Sequence, residues 1–323
     1  MGPLHLGIRL AAVAGAGFLA MRTAAANQQK ESLGSVLYKD YLLLMGGRAE
    51  TQPDVEAGYA DSTTTYELPP LASSLFGITT YDGLSDTIIA GHERTHPDYT
   101  IFYLHGGGYW SDPALLYYPF FNRIARAFNA HIVMPVYPKA PTHSAPEMHD
   151  MVFARYQYLI NERGIDPQSI VVMGDSAGGG LALSLLQMLR DRNAPMPRAG
   201  LLISPWLDIS NSNDEMDAIQ PSDPMLNREF LRIQGTYVAG ERDTKDPLVS
   251  PIYGDLSGLA PITVVSATHD ILHADVRRLG TLAKEQELPI TVHTFPGLFH
   301  CFPCVPIPES DQALGIFLAA VRA

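Results

Sequence analysis

The segment Gly174-Asp175-Ser176-Ala177-Gly178 decides the fold, because it places a serine between two glycines, after a strand-like pattern and before a helical one. Residues 169–173 are apolar and β-branched, which predicts a buried strand, and residues 178–192 have helical spacing. A sharp turn from strand to helix brings backbone segments together, so side chains at Gly174 and Gly178 would clash. The segment therefore predicts a nucleophile elbow that presents Ser176, and its strand–turn–helix setting disfavours a simple glycine-rich turn.

On both sides of this segment, short apolar runs alternate with longer amphipathic stretches, a pattern typical of strands joined by crossover helices. Strands of a mostly parallel sheet are predicted at residues 100–104, 131–135, 169–173, 200–204, 262–267 and 290–295. Helices are predicted at residues 114–128, 147–162, 178–192, 227–238, 274–286 and 310–321. Earlier short runs are predicted to add an antiparallel edge, at residues 63–67, 76–80 and 87–90. The fold class is therefore α/β.

Two segments interrupt this alternation, residues 1–60 and the polar, proline-punctuated stretch 207–251. An insertion between strands, such as 207–251, is where a lid over a pocket would sit. Four acidic residues crowd within it, namely Asp214, Glu215, Asp217 and Asp223. Their spacing matches no calcium loop, so a solvated surface is favoured over a metal role.

The composition fits one large domain, because 323 residues with 46% hydrophobic and 17% charged residues can bury a sizeable core. A net charge of -12 without any basic run argues against a nucleic-acid partner. The two cysteines, Cys301 and Cys304, exclude a disulfide-dense scaffold and a four-cysteine zinc site. Two ordinary thiols or one incidental bridge are favoured over a redox pair, because no thioredoxin-like context surrounds them.

The first residues leave the cellular location open. Arg9 precedes an apolar run at 10–21 and then three alanines at 24–26, which resembles a secretory signal with a small-residue cleavage site. The run is too short to span a bilayer. A helix of a cytoplasmic enzyme is the favoured interpretation, and export or membrane anchoring through residues 1–26 stays an alternative.

A second glycine-rich motif, His105-Gly106-Gly107-Gly108, follows the predicted strand 100–104. Its small residues would let backbone N–H groups face a developing oxyanion, and the Ala177 N–H would be a further donor. A phosphate-binding loop is the alternative, but no Lys-Ser/Thr and no dinucleotide pattern follows. We expect His105 to orient this loop rather than to act as a base.

A serine nucleophile needs a histidine base and an acid that holds the imidazole. Asp270 follows the predicted strand 262–267, and His300 lies in the loop after the last strand. The order Ser, Asp, His is the one that the α/β-hydrolase fold uses. His269 is a weaker rival as base, and Asp275 is a weaker rival as acid.

With these motifs the sequence resembles the hormone-sensitive-lipase-like family of bacterial carboxylesterases, from about residue 100 to the C-terminus. Besides the segments already quoted, the resemblance rests on Tyr137, Ala140-Pro141, Gly179, Ser204-Pro205-Trp206-Leu207-Asp208, Asp270-Ile271-Leu272 with Asp275, and His300 with Phe302. The sequence departs from the family at Pro138-Lys139 and Thr142-His143. These residues belong to a supporting loop, so the resemblance does not predict the fine substrate specificity.

The resemblance implies an α/β-hydrolase fold with a cap. Gly107, Gly108 and Ala177 would form the oxyanion hole. Residues 1–60 and the 207–251 insertion would cap the acyl pocket of a catalytic domain at 61–323.

We therefore expect a serine hydrolase that cleaves small carboxylic esters through Ser176, His300 and Asp270. No metal or organic cofactor is implied, and the oligomeric state is not predicted. Tyr109 and Trp110 are expected to wall the substrate pocket, with ordinary packing as the alternative. Amide or peptide cleavage by the same triad stays open, as does a non-catalytic ligand-binding protein on this scaffold. The polar 207–251 insertion favours acyl chains of about two to eight carbons over long-chain lipids.

Overall fold

One central sheet organises the protein in the computed structural model, which describes residues 18–28, 30–44, 62–63, 66–91, 93–115 and 117–323. Eight strands of the described chain form it, and their bounds are β1 Thr79–Tyr81, β2 Leu84–Ala90, β3 Tyr99–Leu104, β4 Ala130–Pro135, β5 Ile170–Asp175, β6 Ala199–Ile203, β7 Ile262–His269 and β8 Ile290–Phe299. Their spatial order is β1-β2-β4-β3-β5-β6-β7-β8. β1 and β2 are antiparallel to their neighbours, whereas β4 to β8 pair in parallel in that order. The predicted mostly parallel sheet with an antiparallel edge is therefore confirmed.

Helices flank this sheet, and their bounds are α1 Leu33–Leu44, α2 Pro70–Phe76, α3 Tyr117–Phe128, α4 Ala145–Asn161, α5 Ser176–Asp191, α6 Glu215–Ile219, α7 Arg228–Ala239, α8 His273–Glu285 and α9 Pro308–Arg322. Residues 18–28 are helical as well. The six predicted helices correspond to α3, α4, α5, α7, α8 and α9. The sequence patterns did not predict α1, α2 or α6.

The strand predicted at 63–67 is wrong in the part that is described. Residues 62–63 are helical, residues 66–69 have no regular structure, and residues 64–65 lie outside the described chain. Pro69 and Pro70 follow at once and lack the N–H groups that a sheet ladder needs. Pro70 instead begins α2, which continues to Phe76 and is capped by Gly77. The strand predicted at 76–80 therefore starts only at Thr79.

The core has two apolar layers, one on each face of the sheet. Successive strand residues point to opposite faces, so Phe102 and Leu104 pack in one layer while Ile101 and Tyr103 pack in the other. α4 and α5 cover the first layer, and α3 and α9 cover the second. Because both faces are covered, the inner strands β5 and β6 are buried along their whole length, whereas the edge strand β8 has several exposed residues. The carboxyl ends of the parallel strands meet at one edge of the sheet.

The apolar run predicted at 10–21 lies largely outside the described residues. Of its described end, Phe18, Leu19 and Met21 are exposed. Within the part of the chain that the structure describes, no helix combines the length and the apolar character that crossing a bilayer requires.

Candidate active site

Ser176 stands at a strained turn where β5 passes directly into α5. Its φ of 52° is a left-handed conformation that costs a non-glycine residue free energy. A side chain at Gly178 would collide with the carbonyl oxygens of Leu104 and His105, and one at Gly174 would collide with the carbonyl of Gly178. The two glycines therefore allow the tight approach that the sequence predicted for an elbow.

His300 and Asp270 follow the ends of neighbouring strands and meet there. His300 comes directly after β8 and Asp270 directly after β7, and Nδ1 of His300 lies 2.9 Å from Oδ2 of Asp270. The other oxygen of Asp270 accepts a hydrogen bond of 3.0 Å from the Leu272 N–H. Both side chains are buried. The structure thus brings together the two residues that the sequence proposed as base and acid.

The surroundings of His300 stabilise the imidazolium that forms when the ring takes up a proton. Burial by itself would lower the pKa of His300, but the charge of Asp270 and its hydrogen bond, with further charge from Asp223 and Asp175, raise that pKa above its ordinary value. If Nδ1 donates its proton to Asp270, Nε2 is left as an acceptor. The Cys301 Sγ lies 3.3 Å from this Nε2 and 3.6 Å from Oδ2 of Asp175, so the thiol borders the acceptor.

A cavity of about 570 Å³ joins these groups. Ser176, His300, Gly107 and Gly108 all line it, so the nucleophile, the base and the glycine-rich loop face one space. Gly107 and Gly108 have φ values of 106° and 64°, which favour glycine. Ala177 lies in the first turn of α5, where backbone N–H groups have no partner within the helix.

The buried carboxylate of Asp175 holds the glycine-rich loop to the elbow. It accepts hydrogen bonds from the hydroxyls of Tyr103 and Tyr117, each at 2.7 Å, and from the Gly106 N–H at 3.1 Å. Burial raises the pKa of Asp175, although these hydrogen bonds oppose the rise. This role of Asp175 could not be predicted from the sequence, because an aspartate inside G-x-S-x-G carries no signal of what it contacts.

His105 supports the same loop, as predicted. Its ring stacks on Tyr137 at 4.3 Å between centroids, and its Nδ1 lies 2.7 Å from the Gly106 carbonyl oxygen. Burial lowers the pKa of His105 to about 4, so the ring is neutral at neutral pH. Lys139 is one of the residues at which the sequence departs from the family pattern, and its Nζ pairs with Oδ1 of Asp112 at 2.5 Å.

Of the two predicted pocket aromatics, Trp110 lines the cavity. The expectation for Tyr109 needs correction, because its ring does not line this cavity and packs instead near Tyr137 and Trp206, at 6.4 and 5.9 Å between centroids. Tyr109 has a φ of 65°, which differs from an extended backbone and turns its side chain into the core.

Two remote segments complete the cavity wall. Tyr38 from α1 lies there and stacks on Phe299 at 5.2 Å between ring centroids. The 207–251 insertion contributes the other side, with Met225, Leu226, Asn227, Phe230, Leu231 and Gln234. A side chain at Gly108 would strike Gln234, so α7 lies directly against the loop.

The interpretation of the acidic cluster as a solvated surface is wrong for one of its members. Asp214 and Asp217 are exposed and pair with Arg228, and exposed Glu215 pairs with Arg277. Asp223, in contrast, is fully buried beside Asp270. Sequence spacing cannot separate the four, because only packing of the insertion on the loop after β7 buries Asp223. In the described chain no group of three or more His, Cys, Asp or Glu residues could hold a metal ion.

The rival residues lie elsewhere. Asp275 is buried and accepts a hydrogen bond from the Asn213 side chain at 3.0 Å, not from His300. Burial raises the pKa of Asp275 to about 7. His269 is half-buried, with its pKa lowered mainly by burial. Cys301 and Cys304 are free thiols, so the incidental bridge is not formed.

Several known proteins are similar to this chain in sequence and in fold. Residues 101–304 match the model of a family described as alpha/beta hydrolase fold. An acetyl-hydrolase of Streptomyces hygroscopicus is 32% identical over 226 residues, which are 69% of this chain and 75% of the relative. An esterase of Acinetobacter venetianus is 31% identical over 217 residues, 66% of this chain and 71% of the relative.

A solved esterase from the bacterial hormone-sensitive lipase family is 26% identical, with a TM-score of 0.70 over 88% of this chain and 97% of that one. The resemblance drawn from the sequence motifs is confirmed.

Proposed function

Because the chain belongs to the family of the alpha/beta hydrolase fold and is an esterase-type enzyme, we propose that Ser176, His300 and Asp270 form its catalytic triad and cleave short- to medium-chain carboxylic esters. The observation that carries the proposal is the buried pair of His300 and Asp270, joined at 2.9 Å, in the same cavity as the strained Ser176.

The reaction begins with proton transfer from Ser176 to His300. The Ser176 oxygen attacks the ester carbonyl carbon while its proton passes to Nε2 of His300. Asp270 stabilises the resulting imidazolium and holds its orientation. The tetrahedral intermediate carries its negative charge on the former carbonyl oxygen, near the N–H groups of Gly107, Gly108 and Ala177.

Collapse of this intermediate breaks the bond to the alcohol oxygen, which takes the proton from His300 and leaves an acyl group on Ser176. Water then gives a proton to His300 and attacks the acyl carbon, and return of that proton to Ser176 releases the acid. The residues of the site thus account for every proton in the cycle.

The cavity walls support the domain assignment. Tyr38, which precedes residue 61, and the 207–251 insertion both line the cavity, as expected of an N-terminal cap segment and a cap insertion on a catalytic domain at 61–323. A pocket walled by two such segments favours a short acyl chain over a long one, because only the part of the chain that fits inside is removed from water. We therefore propose small-molecule esters with acyl chains of about two to eight carbons as substrates.

Replacing the nucleophile tests the proposal. Ser176→Ala is expected to lower kcat on p-nitrophenyl butyrate on the order of 10⁵-fold or more, because no other group can form the acyl-enzyme. The exposed Ser257 on the surface provides a matched control, and Ser257→Ala should keep wild-type kinetics. A fluorophosphonate probe should label Ser176 alone. Near-wild-type turnover by Ser176→Ala would refute the mechanism.

The alternative of amide or peptide cleavage is decided by a substrate panel. Acyl p-nitrophenyl esters and matching p-nitroanilides differ only in the leaving group, so their kcat/KM ratio measures ester preference directly. A ratio in favour of the anilides would reassign the enzyme as an amidase.

A further inference from the structure

Asp223 is a charged residue buried where a charge is costly. It is fully buried, it belongs to the 207–251 insertion, and it lies close enough to Asp270 for the two charges to repel. Removing a carboxylate from water costs free energy, and a second carboxylate nearby adds to that cost. The cost of burying this carboxylate must therefore be offset by the contacts that it makes.

The hydrogen bonds of Asp223 connect two separate parts of the chain. One oxygen accepts from the N–H groups of Met225 and Leu226, at 2.8 and 2.9 Å, and so shapes its own segment. The other oxygen accepts from the N–H of Ile271 at 2.8 Å, 48 residues away. Ile271 is the residue directly after Asp270.

The hydrogen bonds of Asp223 thus join two segments that both lie at the cavity. Met225 and Leu226 line the cavity wall, whereas Asp270 and the Leu272 N–H that it accepts from belong to the loop that holds His300. A shift of the insertion would therefore move the Ile271 backbone and change the orientation of the Asp270 carboxylate towards His300. Small displacements of this kind are costly, since a misplacement of about 1 Å can lower the rate about 100-fold.

We propose that Asp223 is a positioning residue of the hydrolytic reaction, which fastens the 207–251 insertion to the loop after β7 and sets the orientation and charge around His300. The proposal rests on the proposed triad. Asp223 does not touch the substrate, and it acts through Asp270 and His300.

The first test compares kcat with KM in Asp223→Asn. Both oxygens of Asp223 accept from N–H groups, so an amide must turn its NH₂ towards a donor and lose at least one of these bonds. We expect kcat on p-nitrophenyl butyrate to fall roughly 10- to 100-fold while KM changes less than about threefold. Asp217→Asn, a change of an exposed aspartate in the same insertion, should leave both constants within about twofold of wild type.

The second test separates positioning from general support of the fold. The groups that face His300 are Asp270, Asp223, Asp175 and the Cys301 thiol, and the three carboxylates raise the pKa of His300. Loss of the Asp223 charge lowers that pKa, so the acid limb of the kcat/KM profile should move to lower pH in Asp223→Asn. Asp223→Glu keeps the charge and should keep the limb at its wild-type position. A merely structural role would lower activity without moving the limb.

The outcomes are distinct. If Asp223→Asn has a kcat within about twofold of wild type, or lower activity with an unmoved acid limb, the positioning role is overturned. Labelling of Ser176 by a fluorophosphonate probe is measured on the same samples, and its failure in the wild-type protein would instead refute the proposed triad. Denaturant unfolding of each variant, run at the assay pH, reports the folded fraction by which kcat is corrected.

Discussion

At the scale of single residues, the site depends on backbone positions that few side chains tolerate. Ser176 has its left-handed φ because β5 must turn into α5 within one residue, and Gly174 and Gly178 make room for that turn. Strain of this kind persists only where the surrounding structure holds it. The hydrogen bonds of Asp175 to the glycine-rich loop supply part of that support.

The acid of the triad gives a prediction at this scale. Asp270→Asn is expected to lower kcat roughly 10⁴-fold with little change in KM, because an amide at this position favours the wrong imidazole tautomer. The matched control is Asp275→Asn, a change of a second buried aspartate that does not contact His300. Steady-state kinetics on p-nitrophenyl butyrate measure both. If Asp275→Asn shows the larger loss, the two acids exchange roles.

At the scale of elements, the cavity is built by helices from distant parts of the sequence. α1 is held to the end of β8, where Lys39 donates to the Gly297 carbonyl oxygen at 2.9 Å and pairs with buried Glu31. Its Tyr38 then packs on Phe299, next to His300. α7 closes the other side against Gly108. The two cap elements thus contact opposite parts of the catalytic edge.

Acyl-chain selection should therefore respond to Tyr38. Tyr38→Ala removes an aromatic ring from the cavity wall and should raise the ratio of kcat/KM for decanoyl over butyryl p-nitrophenyl esters roughly 10-fold, since longer chains gain space and apolar contact. Leu44→Ala changes an exposed residue of the same helix and should leave the ratio unchanged. An unchanged ratio in Tyr38→Ala would place the chain-length limit elsewhere.

The sheet and the order of the three triad candidates could be predicted from the sequence, because apolar strands, the G-x-S-x-G elbow and polar residues after strand ends are local patterns. Asp175 and Asp223 could not be assigned, because their burial depends on hydrogen bonds to residues 58 and 48 positions away. α1 was missed for the same reason. Its position depends on contacts with β8 and α9, which local periodicity does not encode.

At the scale of the whole molecule, buried ionisable groups make opposite contributions to the pH dependence of stability. Burial lowers the pKa of His105 and His149 to about 4. Between about pH 6.5 and 4 the unfolded chain therefore binds protons that the folded protein does not, and the folded protein loses stability as pH falls through this range. Burial raises the pKa of Asp223 to about 6 and of Asp275 to about 7, so the folded protein keeps protons that the unfolded chain has released. Those two groups therefore lower stability as pH rises from about 4.

Asp275→Asn isolates one of these contributions. The amide cannot ionise, so the variant avoids the loss of stability that Asp275 causes as pH rises from about 4 to 7. The free energy of unfolding of the variant minus that of wild type should therefore increase between pH 4.5 and pH 8. Urea unfolding at both pH values measures this difference. A constant difference would mean that Asp275 titrates at its ordinary pKa.

The anchoring of α1 has a consequence for the order in which the chain acquires its pocket during synthesis. Ser32 donates to Glu309, 277 residues later, and Lys39 reaches Gly297, 258 residues later. The ribosome therefore releases α1 long before either partner exists, and Tyr38 has no Phe299 to pack on until the last strand emerges. Domains fold as units once their sequence is available. Because β6, β7 and β8 follow Ser176 in the chain, the sheet that holds the elbow and the Tyr38 wall of the cavity would both be completed only when translation is nearly finished.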